Sequence, residues 1–421
     1  MLFKMMPGLE RLIQYNKTHF FRDLTAGIIV AVLFIPQSMA YATVAGVPLV
    51  IGLYAATLPL IVYALFGSSK HLSVGPVSIV SLLAFSGIAS IAQPNSADFL
   101  ELILLLGFMV GVIHLLLGLL KTGFIFNYIS PTVITGFISA CAIIIALNQV
   151  KSLLGISLPP YHDVFSYTVT IIHEAATAHP DTVLLGVGSL IFLLMFKKVN
   201  PILGPLFVIV LSILIVPRFG FDERGVELVG VIPSGLPQFQ LHIPNVETIQ
   251  LLLPLALMIA FISFLESFAV AKTIAAKEKD TIRPNQELVG LGLANISSSF
   301  VGAIPVAGAL SRTAVNYESG AKTNLSLLIT AGFVLVTLLY LTPLFYYLPK
   351  ATLAAIIILA VSSLIQLKHV PTLFRHSPLD AIILLSTFLA TLVVDIFIGL
   401  LTGIFISIVF AAIRRMFLQH A

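Results

Sequence analysis

The sequence of 421 residues contains one cysteine, no tryptophan and little charge: Asp, Glu, Lys and Arg together make up 10% of it. Soluble globular domains carry about a quarter charged residues, so a water-soluble fold is excluded. The single cysteine, Cys141, rules out an intramolecular disulfide and a thiolate metal cluster. It lies in an apolar run and reads as a small packing residue. No nucleophile–base pair and no metal-ligand spacing occurs among the apolar runs, which argues against an enzyme and against any resident cofactor. A cleavable signal is missing too. The segment 1–23, MLFKMMPGLERLIQYNKTHFFRD, is mixed in charge and amphipathic, and no small-residue cleavage site follows a short apolar core.

What is present is apolar length. Hydrophobic residues make up 58% of the chain and the mean hydropathy is +1.08. Fourteen runs are candidates to cross a hydrocarbon core of about 30 Å: 24–44, 48–66, 74–92, 100–120, 128–150, 181–196, 199–217, 249–274, 286–305, 310–320, 324–346, 350–366, 378–395 and 398–413. The tenth is short and polar. This predicts an all-α polytopic membrane protein with both termini on one side. Charge agrees. With the N-terminus inside, 17 of the 22 Lys and Arg residues fall on the inner side, four on the outer side (Lys151, Arg218, Arg224, Lys350), and Arg312 alone lies within a span. The net charge of +4 is thus an orientation signal and points to no nucleic-acid partner.

Two longer outer loops follow, at 151–180 and 218–248. His162, His173 and His179 in the first have no ligand spacing. The second is rich in Pro and Gly and reads as a small hairpin or an extended cover.

Fourteen spans invite a division into two sevens. FIPQSMAYATVAG in span one aligns with FISFLESFAVAKTIA in span eight, pairing Gln37 with Glu266 at an offset of 229 residues; LSVGPVSIVSLL from Leu72 aligns with LSRTAVNYESG from Leu310 at an offset of 238. An odd number of spans per unit makes the halves inverted. Shortened spans at matching places in inverted halves are where transporters bind substrate. Ser73 is a candidate helix cap with Pro76 in the first turn, and Ser311 is its counterpart. Two helix starts facing each other would direct positive dipole ends and unpaired N–H groups at one gap. Arg312 adds a full charge there. A lone guanidinium at the bilayer centre costs about 3 kcal/mol, so it is expected to have a task. Glu266 is the expected counter-charge: paired with Arg312 when the gap is empty, and protonated when an anion enters. GFMVG at Gly107–Gly111 reads as a helix-packing motif.

At these residues the chain resembles the sulfate permease family of anion transporters, solute carrier family 26. The stretches that carry the resemblance are IPQSMAYA, GLYAATLPLIVYALFGSSKHLSVGP, NQELVGLGLANISSSFVGAIPVAGALSRTAVN and YLPKATLAAIII. Ile51 stands where an aromatic residue is common, and Phe397 where an acidic one is frequent. The resemblance implies a seven-plus-seven inverted repeat, with the halves at 24–217 and 249–413 and the loop 218–248 between them. It implies a core of spans 1–4 and 8–11 moving in elevator fashion against a gate of spans 5–7 and 12–14, commonly as a homodimer. It places a small inorganic anion between the starts of spans three and ten, touching backbone N–H groups near Val77, Ser78 and Ser311, with Gln37 and Tyr41 as side-chain neighbours. The cytoplasmic STAS domain usual in the family does not follow the stub 414–421 in this sequence, which reads as either a truncated chain or a naturally short member. The function expected is a secondary transporter of small oxyanions in the plasma or inner membrane, sulfate by proton symport first. Bicarbonate, chloride or a dicarboxylate, sodium coupling, exchange, and an anion channel are the alternatives. A nucleobase carrier is disfavoured by Arg312.

Overall fold

The computed structural model describes residues 6–128, 131–159, 161–199, 203–237, 239 and 245–418, with side chains to residue 410 except at 125, 127, 128, 131 and 369. Lys4, Arg414 and Arg415, counted above on the inner side, and the side chains of the stub 414–421 lie outside what is described. The chain is mostly helical. In order it forms α1 (Pro7–Ile13), α2 (Phe20–Val44), α3 (Leu49–Ala55), α4 (Leu58–Phe66), β1 (Val74–Gly75), α5 (Ser78–Ile88), α6 (Ala97–Leu119), α7 (Pro131–Leu154), α8 (Val164–Glu174), α9 (Pro180–Val199) and α10 (Gly204–Phe219). The second half holds α11 (Val246–Glu278), α12 (Pro284–Phe300), β2 (Ala307–Gly308), α13 (Leu310–Glu318), α14 (Leu325–Val336), α15 (Lys350–Ser362), α16 (Val370–His376), α17 (Pro378–Val393) and α18 (Ile396–Leu418).

Each of the fourteen apolar runs holds helix among its described residues. Seven helical stretches among the described residues are long and apolar enough to cross a membrane unaided. The second run is split at Ala56–Thr57, just ahead of Pro59, whose ring fits the first turn of a helix and not its interior. The third and tenth are short, at 11 and 9 residues. At 1.5 Å per residue such helices measure about 16 and 14 Å, half a hydrocarbon core. In the loop 218–248 the described stretch 229–235 is extended and lies along 338–348: Val229 N–H donates to Leu348 O (2.8 Å), Gly230 N–H to Tyr346 O (3.1 Å) and Gly235 N–H to Leu338 O (3.1 Å). No hairpin forms among its described residues.

Two compact units divide the chain. One holds Met1–Phe124, Phe192–Gly220 and Leu228–Leu348; the other holds Ile125–Ile191, Phe221–Glu227 and Pro349–Ala421. The expected core of spans 1–4 and 8–11 lies in the first. The seventh span, α10, was expected in the gate and groups with that first unit instead. Its Val208, Ile209, Ser212 and Val216 are buried, and it packs on α2.

Within the first unit, α6 crosses α12 at close backbone range. A Cβ on Gly111 would stand 2.7 Å from both Gly292 O and Ile296 Cγ1, whereas one on Gly107 would meet nothing closer than Pro305 at 3.6 Å, so of the GFMVG glycines it is Gly111 that sets the crossing. Two buried carboxylates tie loops at one end of this unit. Glu287 accepts from Tyr63 OH (2.6 Å), Ser68 N–H (2.6 Å), Ser68 OH (2.7 Å) and Ser69 N–H (3.0 Å). Asp23 accepts from Lys322 N–H (2.7 Å), Thr323 N–H (3.0 Å) and Thr323 OH (2.8 Å). Burying these polar groups is tolerable only because each carboxylate accepts several hydrogen bonds and no oxygen lacks a donor.

Candidate functional site

β1 and β2 are two residues each and pair antiparallel, Val74 with Gly308 and Gly75 with Ala307. The pairing is small, but its geometry decides the site. Each strand runs almost directly into a short helix, β1 into α5 and β2 into α13. Because the strands are antiparallel, the two helices leave in opposite directions and their N-termini stay together.

Side chains from three helices pin the pair. Thr313 Oγ1, on α13, accepts the N–H of Ser73 (3.0 Å), and Ser73 O accepts the N–H of Ala309 (3.1 Å). Ser267 Oγ, on α11, accepts the N–H of Gly308 (2.8 Å). On α12, Asn295 takes the place of a strand neighbour: its Oδ1 accepts from Val306 N–H and its Nδ2 donates to Val306 O, both at 2.9 Å. These contacts overturn the expected caps. Ser73 is held extended by its bonds to α13 and its neighbour, so α5 starts at Ser78 with Val77 as N-cap. Pro76 precedes the helix and biases Gly75 toward the extended region. In α13 the N-cap is Ala309; Ser311 is the second helical residue and is exposed. Neither helix has a side-chain cap. The first-turn N–H groups, which have no partner inside a helix, are therefore left for a ligand or water.

Arg312 is the centre of the arrangement. It is 0% exposed, and its guanidinium carbon lies 4.2 Å above the Phe34 ring centroid. Its Nη1 donates to Gln37 Oε1 at 3.4 Å, while Nε and Nη2 have no partner. An aromatic face offers about 2 kcal/mol to a desolvated cation, less than the several kcal/mol that burying the charge costs. The two unpartnered nitrogens add to that cost and leave donors open to an acceptor.

The other expected residues divide around it. Gln37, Tyr41, Val77 and Ser78 are buried. Gln37 touches Arg312, and Tyr41 lies within its electrostatic range. Val77 and Ser78 make no side-chain hydrogen bond to Arg312; they contribute the start of α5. Glu266 is half-buried, in electrostatic range of Arg312, but the expected ion pair is absent. Arg312 bonds Gln37, and Glu266 Oε2 is buried with no partner. Their positions on α13 and α11 leave the two groups beyond contact. Ser38 Oγ on α2, Ser73 Oγ just before β1 and Ser81 Oγ on α5 are likewise buried and unpartnered. Native interiors seldom leave such atoms without a reason.

Four residues escaped the sequence reading: Phe34, Ser267, Asn295 and Thr313. Phe34 had a signal, since Phe34, Gln37 and Tyr41 are spaced i, i+3, i+7 on one face of α2. Ser267 and Thr313 had one in the aligned repeat segments. Asn295 had none, because its role is to bond backbone that approaches from another part of the chain. A separate cavity of about 640 Å³ opens beyond the far end of α5, lined by Gln93, Ser96, Asp98, Glu101, Asn245 and Thr248. Its two carboxylates make it a poor anion slot.

Comparison with known proteins places the chain among relatives of known family and fold. The model of the sulfate permease family matches residues 20–387. The chain is 38% identical over 416 residues to the chloroplastic sulfate transporter 4.1 of Arabidopsis thaliana, covering 96% of this chain and 60% of that protein. It is 32% identical over 415 residues to a probable sulfate transporter of Mycobacterium tuberculosis, covering 98% and 74%. Its fold matches the murine solute carrier 26 family member A9 anion transporter, solved in the inward-facing state, with TM-score 0.90 and 26% identity over 98% of this chain and 72% of that one. It also matches the transmembrane domain of the cyanobacterial bicarbonate transporter BicA, with TM-score 0.80 and 25% identity over 93% and 98%. The chain spans about three-fifths of the length of the plant relative.

Proposed function

Because the chain belongs to the sulfate permease family, we propose that it is a secondary transporter that binds a small oxyanion, sulfate first, at the facing starts of α5 and α13. The observation that carries this reading is Arg312: fully buried, with two guanidinium nitrogens unpartnered, at the start of an uncapped half-length helix. An oxyanion supplies what that group lacks, namely several acceptor oxygens and a negative charge. The first-turn N–H groups of Val77, Ser78 and Ser311 would donate to its other oxygens. Gln37 and Tyr41 would complete the pocket, with Gln37 turning its amide N–H₂ to the anion while its oxygen holds Arg312.

Transport follows by an elevator-type displacement of the unit that carries the site. All the proposed contacts belong to one contact-defined unit, so the anion could travel with it and keep its ligands. Glu266 is the proposed coupling group. An unpaired carboxylate near the slot opposes anion entry by like charge, and a proton on it removes that opposition. The seven-plus-seven inverted layout, cytoplasmic termini, a plasma or inner membrane address and a homodimer complete the reading.

The test is labelled sulfate uptake into proteoliposomes, with and without an inward proton gradient, for the wild type and Glu266→Gln. Proton symport predicts uptake that rises with the gradient in the wild type and ignores it in the variant. Unchanged gradient dependence in Glu266→Gln would overturn the coupling role. The likeness to BicA favours one second reading, bicarbonate transport, in which excess bicarbonate abolishes sulfate uptake and is itself accumulated.

A further inference from the structure

The helix α8 takes part in nothing described above, yet its sequence VFSYTVTIIHE presents three distinct surfaces. At about 100° per residue, Val164, Tyr167 and Ile171 share one side, and Ser166, Thr170 and His173 a second. Phe165, Val169 and Ile172 fall on a third, within about 60° of arc. The first side packs inward: Tyr167 is buried and meets the Tyr161 ring edge-on at 5.3 Å. The third is apolar and open, with Phe165 69%, Val169 67% and Ile172 71% exposed. A surface of this kind on a helix in water is costly, about 25 cal/mol for each Å² left wet.

The two ends of α8 are fixed to the ends of spans in the same unit. Two residues before its N-cap Asp163, Tyr161 OH donates to Leu392 O at 2.8 Å, next to the end of α17. A few residues past its C-terminus, His179 N–H donates to Leu154 O at 3.0 Å. That bond joins the last residue of α7 to the residue preceding α9. The helix therefore runs across span ends instead of along a span. Its open apolar stripe is of the same kind as Leu184, 63% exposed one turn into α9.

We infer that α8 is an interfacial helix whose partner is the lipid bilayer. Phe165, Val169 and Ile172 enter the headgroup–acyl boundary to a depth of about 5–10 Å, Ser166, Thr170 and His173 face water, and Tyr167 holds the helix to its unit. The contact fixes the depth and tilt of that unit in the membrane independently of its spanning helices.

The absence of tryptophan from the sequence makes the test clean, because a single introduced indole is the only one in the chain. Phe165→Trp, Ile172→Trp and Ser166→Trp are each purified as the full chain and reconstituted into phosphatidylcholine vesicles with and without bromines on the acyl chains. Each is then titrated with aqueous acrylamide. The expected result is strong quenching by brominated lipid and protection from acrylamide at positions 165 and 172, and the reverse at 166. Quenching of 165 and 172 by acrylamide but not by bromines would place the stripe in water and overturn the inference. Protection from both quenchers would mean that protein, such as a second copy of this chain, covers it, and would overturn it equally. Two stripe positions are used so that failure of one variant to fold leaves the other decisive.

Discussion

Removing the hydroxyl of Thr313 tests whether the strand pair sets the affinity of the site. Thr313 is fully buried; its Oγ1 accepts the N–H of Ser73 at 3.0 Å and donates to Ala309 O at 2.6 Å. Valine keeps the shape and loses both bonds. Ala309 O retains the backbone N–H of Thr313, at 3.1 Å, so the damage falls on Ser73 N–H. An orphaned buried donor costs about 1–3 kcal/mol. Ser73 directly precedes β1, so the structure relieves that cost by letting β1 move away from β2, which separates the helix starts. If the whole cost appears in anion binding, affinity falls by about 5- to 150-fold. The assay is concentration-dependent sulfate uptake into proteoliposomes, run beside thermal unfolding of the purified protein. Thr313→Val is expected to raise KM within that range, and Thr313→Ser, which restores the acceptor, to bring it back. A wild-type KM in Thr313→Val, with a lowered melting temperature, would mean that the bond supports only the fold, and the positioning argument would fail.

Arg312→Gln removes the charge from the slot; at about 4 Å and an effective dielectric near 20 an ion pair is worth about 4 kcal/mol, so saturable anion binding measured by filter assay is expected to disappear. Retained binding would refute its central role. Gly111→Val puts a side chain where Gly292 O already stands 2.7 Å from a Cβ. It should shift the protein from a monodisperse peak to aggregate on size exclusion, while Gly188→Ala, with open space around it, should not. The clasp between Lys70 and Asp280, 2.8 Å long, responds to acid. Burial pushes the Asp280 carboxyl up, but its contact with Lys70 and the Thr281 N–H outweigh this and hold it below its ordinary value. A depressed carboxylate stabilises above its unfolded pKa, and the contribution is lost as pH falls through the folded value, here below about pH 4. The drop in melting temperature on acidification should therefore be smaller in Lys70→Gln than in the wild type.

Much of this protein was legible as a string. Where the helices lie followed from run length, because a hydrocarbon core demands a fixed apolar reach and each of the fourteen runs holds helix among its described residues. Arg312 stood out for the converse reason: a charge is costly wherever that reach is required. The alignment of LSVGP with LSRTA pointed to two short helices, since a polar start within an apolar run marks where a span is broken.

Contacts between distant segments decided the rest. Composition could not tell that Ser73 would be drawn into an extended pair by Thr313, 240 residues away, and so could not cap α5. Nor could it tell that Arg312 would bond Gln37 and rest on Phe34 while Glu266 stayed unpaired, because charge sign is written in the sequence but separation is not. The seventh span joined the site-bearing unit through packing on α2, which its hydropathy does not encode. The sequence by itself determined that the chain crosses a membrane several times, where its helices lie, and that one buried point is positive. The tertiary structure alone decided what surrounds that point: local runs are set by the solvent each residue must face, and the site's contacts by which runs the fold brings together.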